Sequence, residues 1–148
     1  MKRVPRFMIA ALLVAGLQLT ACQQQHAKHH AEHPAEVAKI EGSELSRLTL
    51  TEKAMQRLDV KTDQVREAVV KRSTSPRQVV PYSSLIYDQK GQTWIYTNPQ
   101  PRTFVRHKVD VDYIEGDMVI LKEGPPTGTV VASVAVAELY GAEFKVGH

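Results

Sequence analysis

Residues 103–113 alternate without interruption. Val105, His107, Val109, Val111 and Tyr113 fall on one side, and Phe104, Arg106, Lys108, Asp110 and Asp112 on the other. A period of two belongs to an extended strand and to no helix. Similar extended runs lie on both sides of it. Val60, Val65, Val69 and Val70 punctuate residues 60–70, residues 79–87 read VVPYSSLIY, and residues 92–97 read QTWIYT. Met118 to Leu121 and residues 129–136 follow, before a small segment around Ala137 to Tyr140. Asp88-Gln89-Lys90-Gly91 and Glu115-Gly116-Asp117 have turn chemistry, and Pro125-Pro126-Thr127-Gly128 is a break. Short strands at this spacing predict a mostly β chain closed into a small barrel or roll. One short helix is expected after Leu50. Thr51 can cap it, Glu52 suits its first turn, Ala54, Met55 and Leu58 form its apolar stripe, and Asp59 can end it in left-handed geometry. His107 is expected on the apolar face as a hydrogen-bonded core or rim residue rather than a ligand. Trp94 and Tyr96 are expected to complete packing, and Asp110 and Asp112 to share a solvated face.

Ahead of this β region the chain changes character twice. Lys2, Arg3 and Arg6 precede an apolar run from Phe7 to Leu17, and Leu19-Thr20-Ala21-Cys22 follows. Positive end, apolar middle and small residues at the cut make an export signal over residues 1–21. The run is too short to span a bilayer, which takes about 20 apolar residues. Leu19 to Cys22 resembles the lipobox of bacterial lipoproteins. That resemblance implies cleavage before Cys22 and acylation of Cys22, which anchors firmly because each buried CH₂ contributes about 0.8 kcal/mol. Gln23, where the lipoprotein sorting pattern places Asp for inner-membrane retention, favours the outer membrane.

Residues 22–42 are expected to form a flexible, disordered tether. The stretch QQQHAKHHAEHPAE at 23–36 has no aromatic or large aliphatic residue to offset the entropy of ordering. Within it His26, His29, His30 and His33 fall at i, i+3, i+4 and i+7, one face of a helix. Neutral imidazoles suit Zn, Cu or Ni, so the tract is a candidate for weak metal binding. Pro34 disfavours helical geometry at His33, and no Cys or acidic cage closes the site. A plain soluble spacer accounts for the same residues.

Charge and motifs narrow the functional classes. The chain carries 19 Lys+Arg against 16 Asp+Glu, and Lys2, Arg3 and Arg6 account for the whole excess. The remainder is formally neutral, which gives no electrostatic reason for nucleic-acid binding. The single cysteine excludes an internal disulfide and any multi-cysteine metal site. Nucleophile elbow, H-E-x-x-H, C-x-x-C and phosphate-cradling glycine loop are all missing from the sequence, so an enzyme is not expected.

Two stretches resemble one family. LTLTEKAMQRLDVKTDQVREA (48–68) is similar to the segment that opens the periplasmic adaptor subunits, or membrane fusion proteins, of efflux pumps. VVPYSSLIYDQKGQTWIYTNPQPRTFVRHKVDVDYIEGDMVIL (79–121) with GTVVASVAVAELYGAEF (128–144) resembles their C-terminal, membrane-proximal domain, closest to the heavy-metal branch of the resistance-nodulation-division (RND) pumps. The elements that carry the likeness are Val80-Pro81-Tyr82-Ser83-Ser84, Gly91-Gln92-Thr93-Trp94-Ile95-Tyr96, Phe104-Val105-Arg106 and the closing Ala137 to Phe144. Asp59 stands where the family often has Gly, and Pro125 to Gly128 replaces its usual turn. The resemblance implies a β-roll described as a circularly permuted SH3-like barrel. In the family a lipoyl-like domain, a helical hairpin and a further barrel separate the two stretches. Here Lys71 to Arg77 join them directly, leaving no chain for a hairpin tens of Å long at 1.5 Å rise per residue.

The expected organisation is therefore a signal peptide at 1–21, a lipidated His-rich tether at 22–42 and an adaptor-like β domain at 43–148. The expected function is that of a non-enzymatic accessory protein. It would be held by its N-terminal lipid at the periplasmic face of a Gram-negative envelope, with RND pump or adaptor subunits as partners. The alternatives are an envelope lipoprotein of structural or interaction role, unconnected with transport, and a periplasmic metal-binding lipoprotein.

Overall fold

The computed structural model describes residues 33–145. Cys22, His26, His29 and His30 lie outside them. The described chain runs β1 (Ala35–Lys39), β2 (Ser46–Leu50), α1 (Glu52–Leu58), β3 (Thr62–Gln64), β4 (Arg66–Ala68) and β5 (Arg77–Pro81). A 3-10 turn at Tyr82–Ser84 leads to β6 (Ile86–Tyr87), β7 (Thr93–Gln100), β8 (Thr103–Lys108), β9 (Asp110–Glu115), β10 (Met118–Glu123), β11 (Val130–Ala132) and α2 (Val136–Phe144). One antiparallel sheet has the order β1-β2-β8-β7-β11-β3, with β6 also on β7, and a second has the order β4-β5-β10-β9. The mostly β, barrel-like expectation is met.

The local signals act as their chemistry requires. The Thr51 Oγ1 accepts from the Ala54 N–H at 3.1 Å and so satisfies one orphan donor of α1. Asp59 ends that helix at φ 50°, ψ 43°. Asp88 and Gly91 close the β6–β7 turn with a 2.9 Å backbone bond, and Gly91 takes φ +73°.

The eleven-residue alternation is not one strand. β8 and β9 belong to different sheets, and the chain changes sheet at Val109, which is 2% exposed. Val65 makes the same kind of crossing between β3 and β4, at 1% exposure. Both crossing residues stay hydrogen-bonded: Val109 N–H donates to Thr93 O, and Val65 N–H to Thr129 O. Bends of this kind let strands turn corners between packed sheets. The crossing changes which residues point inward. In β8, Phe104 and Arg106 are buried and His107 is exposed, so the expectation of a core or rim histidine at 107 is wrong.

Three apolar clusters follow from this layering. Val65, Val80, Ile95, Val109, Val119, Leu121 and Val131 form one cluster, drawn from both sheets. Leu48, Leu50, Tyr96, Phe104 and Ala132 of the larger sheet pack with Ala54 of α1 and with Val136 and Leu139 of α2. Val70, Val79 and Ile120 form a third. β7 contributes Ile95 to one cluster and Tyr96 to another, so both of its faces are covered.

Two boundaries differ from the sequence expectation. The tether expected to reach Gly42 gives up Ala35–Lys39 to β1, which pairs antiparallel with β2 in the register Val37↔Leu48. Ala35 and Val37 pack against the core beneath. Their two-residue alternation is too weak a signal alone, and the ladder to β2 makes the strand. The last strand stops at Ala132, because the N–H groups of Ser133 and Val134 both turn to Lys61 O. Ala135 at φ 66° then starts a nine-residue helix, so the domain has two helices where one was expected.

Candidate functional site

The densest polar constellation among the described residues sits where α2 meets β7 and β8. Tyr96 and Arg106 are paired across the ladder. Their side chains share an inward face with Trp94, two residues before Tyr96. α2 brings Glu143 and Phe144 down onto them. Tyr96 OH donates to Glu143 Oε2 at 2.6 Å, and Arg106 Nε donates to Glu143 Oε1 and Oε2 at 3.0 and 2.8 Å. Arg106 is 8% exposed and Glu143 7%, so this ion pair is withdrawn from water. Burial, then the hydrogen bond to Glu143, pushes the Tyr96 phenol far above its ordinary value of 10.0 and keeps it a donor.

Aromatic rings hold the guanidinium. Arg106 Cζ lies 4.6 Å from the Trp94 ring centroid and 4.7 Å from that of Phe144. The indole is itself fixed, because Trp94 Nε1 donates to Asp88 Oδ2 at 3.0 Å. Asp88 Oδ1 accepts from the Lys90 and Gln92 N–H groups, both at 2.8 Å. Desolvation raises the Asp88 pKa, but the donors from Gln92, Trp94 and Lys90 outweigh it, so the carboxyl lies below its ordinary range. Tyr140 supports Phe144 at 4.6 Å between centroids. The guanidinium is thus paired at Nε and packed against two aromatic rings.

The sequence placed Arg106 on the polar side of a single strand and gave Glu143 no role. The available signal was an arginine two residues from Phe104, opposite a strand bearing Trp94 and Tyr96. Their meeting with Glu143 depends on the long return of the chain to α2.

Of the predicted metal ligands, only His33 is described. It is exposed and non-helical, directly before Pro34 and β1. It lines a groove of about 760 Å³ together with Glu36, Thr51, Arg102 and Lys145. Among the described residues, no three His, Cys, Asp or Glu side chains are grouped to hold a metal ion. None of the described helices is long and apolar enough to cross a membrane.

No protein-family model matches the sequence, and no curated protein matches it. Among solved structures, the chain is similar to the solution structure of a 180-residue piece of SilB from Cupriavidus metallidurans CH34. That piece contains the N-terminal metal-binding site and membrane-proximal domain of SilB. The identity is 20% and the TM-score 0.44, over 64% of this chain and 53% of that one. The matched part thus spans about half the length of its neighbour.

Proposed function

We propose that this protein is a lipid-anchored accessory module that works by contact, without catalysis, on the periplasmic side of an RND-type, heavy-metal efflux system. One observation carries the reading. The two adaptor-like stretches interlock: β2 pairs with β8, and β3 pairs with β11. Each stretch thereby supplies strands to one sheet, and the link between β4 and β5 is only a hairpin loop. The domain is therefore closed without the lipoyl, hairpin and barrel parts that separate these stretches in full adaptors. Such a module can dock on a pump or adaptor but cannot reach across to an outer-membrane channel.

Acylation of Cys22 holds the module at the membrane, and the histidines at 26, 29, 30 and 33 supply weak, exchangeable sites for Zn, Cu or Ni. Photo-crosslinking of the full-length protein in its native envelope tests the docking. Recovery of pump or adaptor subunits is expected, whereas recovery of cell-wall or assembly proteins alone would move the protein to the structural alternative. Mass spectrometry of the membrane form should find acyl groups on Cys22, and Cys22→Ser should release the protein from the membrane. Calorimetric titration of Zn²⁺ into the protein and its four-His→Ala variant addresses the metal. Equal, negligible heats would end that part of the proposal.

A further inference from the structure

We infer that the Nη edge of Arg106 is a docking point for a carboxylate carried on an acidic segment of a partner protein. The inference needs no assumption about which protein that is, so it stands apart from the efflux reading. The Trp94 and Phe144 rings each lie against the guanidinium, at 4.6 and 4.7 Å from Cζ, and Glu143 occupies Nε. Among the described residues nothing accepts from the Nη atoms. Among the described residues the fully buried side-chain polar atoms without a partner are Ser84 Oγ and Tyr113 OH, so the unpartnered Nη atoms of Arg106, a residue 8% exposed, are not fully closed off.

A guanidinium edge offers two parallel N–H donors in one plane, the fork that a carboxylate accepts in bidentate fashion. The flanking rings decide between anions. A planar carboxylate can enter edge-on beside them, whereas a tetrahedral phosphate must project oxygens out of the plane towards the ring edges. Phe144, 45% exposed, provides an apolar rim. Glu143 offsets the charge of Arg106 itself, but Lys108, opposite Trp94 in the ladder, and Lys145, next to Phe144, are both exposed. Neither has an acidic partner among the described residues. They give the surroundings the sign that draws an acidic segment. An arginine packed against aromatic rings is also the composition of interface hot spots.

Trp94 is the only tryptophan of the chain, so its fluorescence reports the site directly. Full-length protein in a neutral detergent is titrated with hexaglutamate, hexalysine, inorganic phosphate and phosphatidylglycerol vesicles. A saturable change with hexaglutamate alone is expected. Arg106→Lys, which keeps the charge and loses the fork, and Phe144→Ala, which removes one ring, should each weaken hexaglutamate by about tenfold or more. Circular dichroism checks the fold of each variant. If Arg106→Lys does not fold, the exposed Phe144→Ala decides. Unchanged hexaglutamate affinity in the folded variants, or an equal response to phosphate or to vesicles, overturns the proposal.

Discussion

Glu143 accepts from Tyr96 and from Arg106 at once, so its removal leaves a guanidinium that is mostly shielded from water without its anion. Glu143→Ala should cost about 3–5 kcal/mol in a urea melt, because a buried charge is left without compensation. Tyr96→Phe removes one donor and leaves the ion pair, and should cost only about 1 kcal/mol. Asp88 gives a pH signature at the other end of the network. Its folded pKa is depressed, so its stabilising contribution is present above the ordinary value of 3.8 and is lost as pH falls through the lower folded value. Trp94 fluorescence should therefore shift with a midpoint below 3.8, and Asp88→Asn should abolish that shift. The turn that holds Asp88 was legible in the sequence, since Asp-x-x-Gly carries its own geometry. The Arg106–Glu143 pair was not, because no local pattern relates residues 37 positions apart.

Elements whose ends are set by their own side chains were the ones the sequence defined well. α1 is capped by Thr51 and stopped by Asp59, both within one turn of the helix. Thr51→Ala should cost about 1 kcal/mol, measured as a shift in the denaturation midpoint at constant slope. α2 begins differently. Ala135 takes φ 66° with no side-chain cap, a conformation that costs a non-glycine residue about 1–2 kcal/mol. Ala135→Gly should therefore stabilise the domain by up to about 1 kcal/mol, the gain being reduced by the greater freedom of glycine in the unfolded chain. The long alternation of residues 103–113 shows the opposite limit. Its period correctly predicts extended chain, but one buried crossing at Val109 assigns its halves to different sheets and reverses which side of β8 is inside.

At the level of the whole molecule, stability rests on the joining of distant segments. β1 lies at the edge of the larger sheet, and its Ala35 and Val37 cover the cluster that contains Leu48, Leu50 and Leu139. A chain beginning at Ser43 should unfold at lower urea than one beginning at His33 and should bind more of an apolar dye, since that cluster loses its lid. Equal midpoints would show that β1 contributes nothing to the core. Sequence alone determined the strand-rich class, the capped helix, the turns and the neutral balance of charge beyond the first residues, because each is written in neighbouring side chains and backbone preference. Tertiary structure alone decided the sheet change at Val109, the recruitment of Ala35–Lys39, and the meeting of Trp94, Arg106, Glu143 and Phe144. Each of those is a free-energy gain realised only when segments far apart in the chain are packed together.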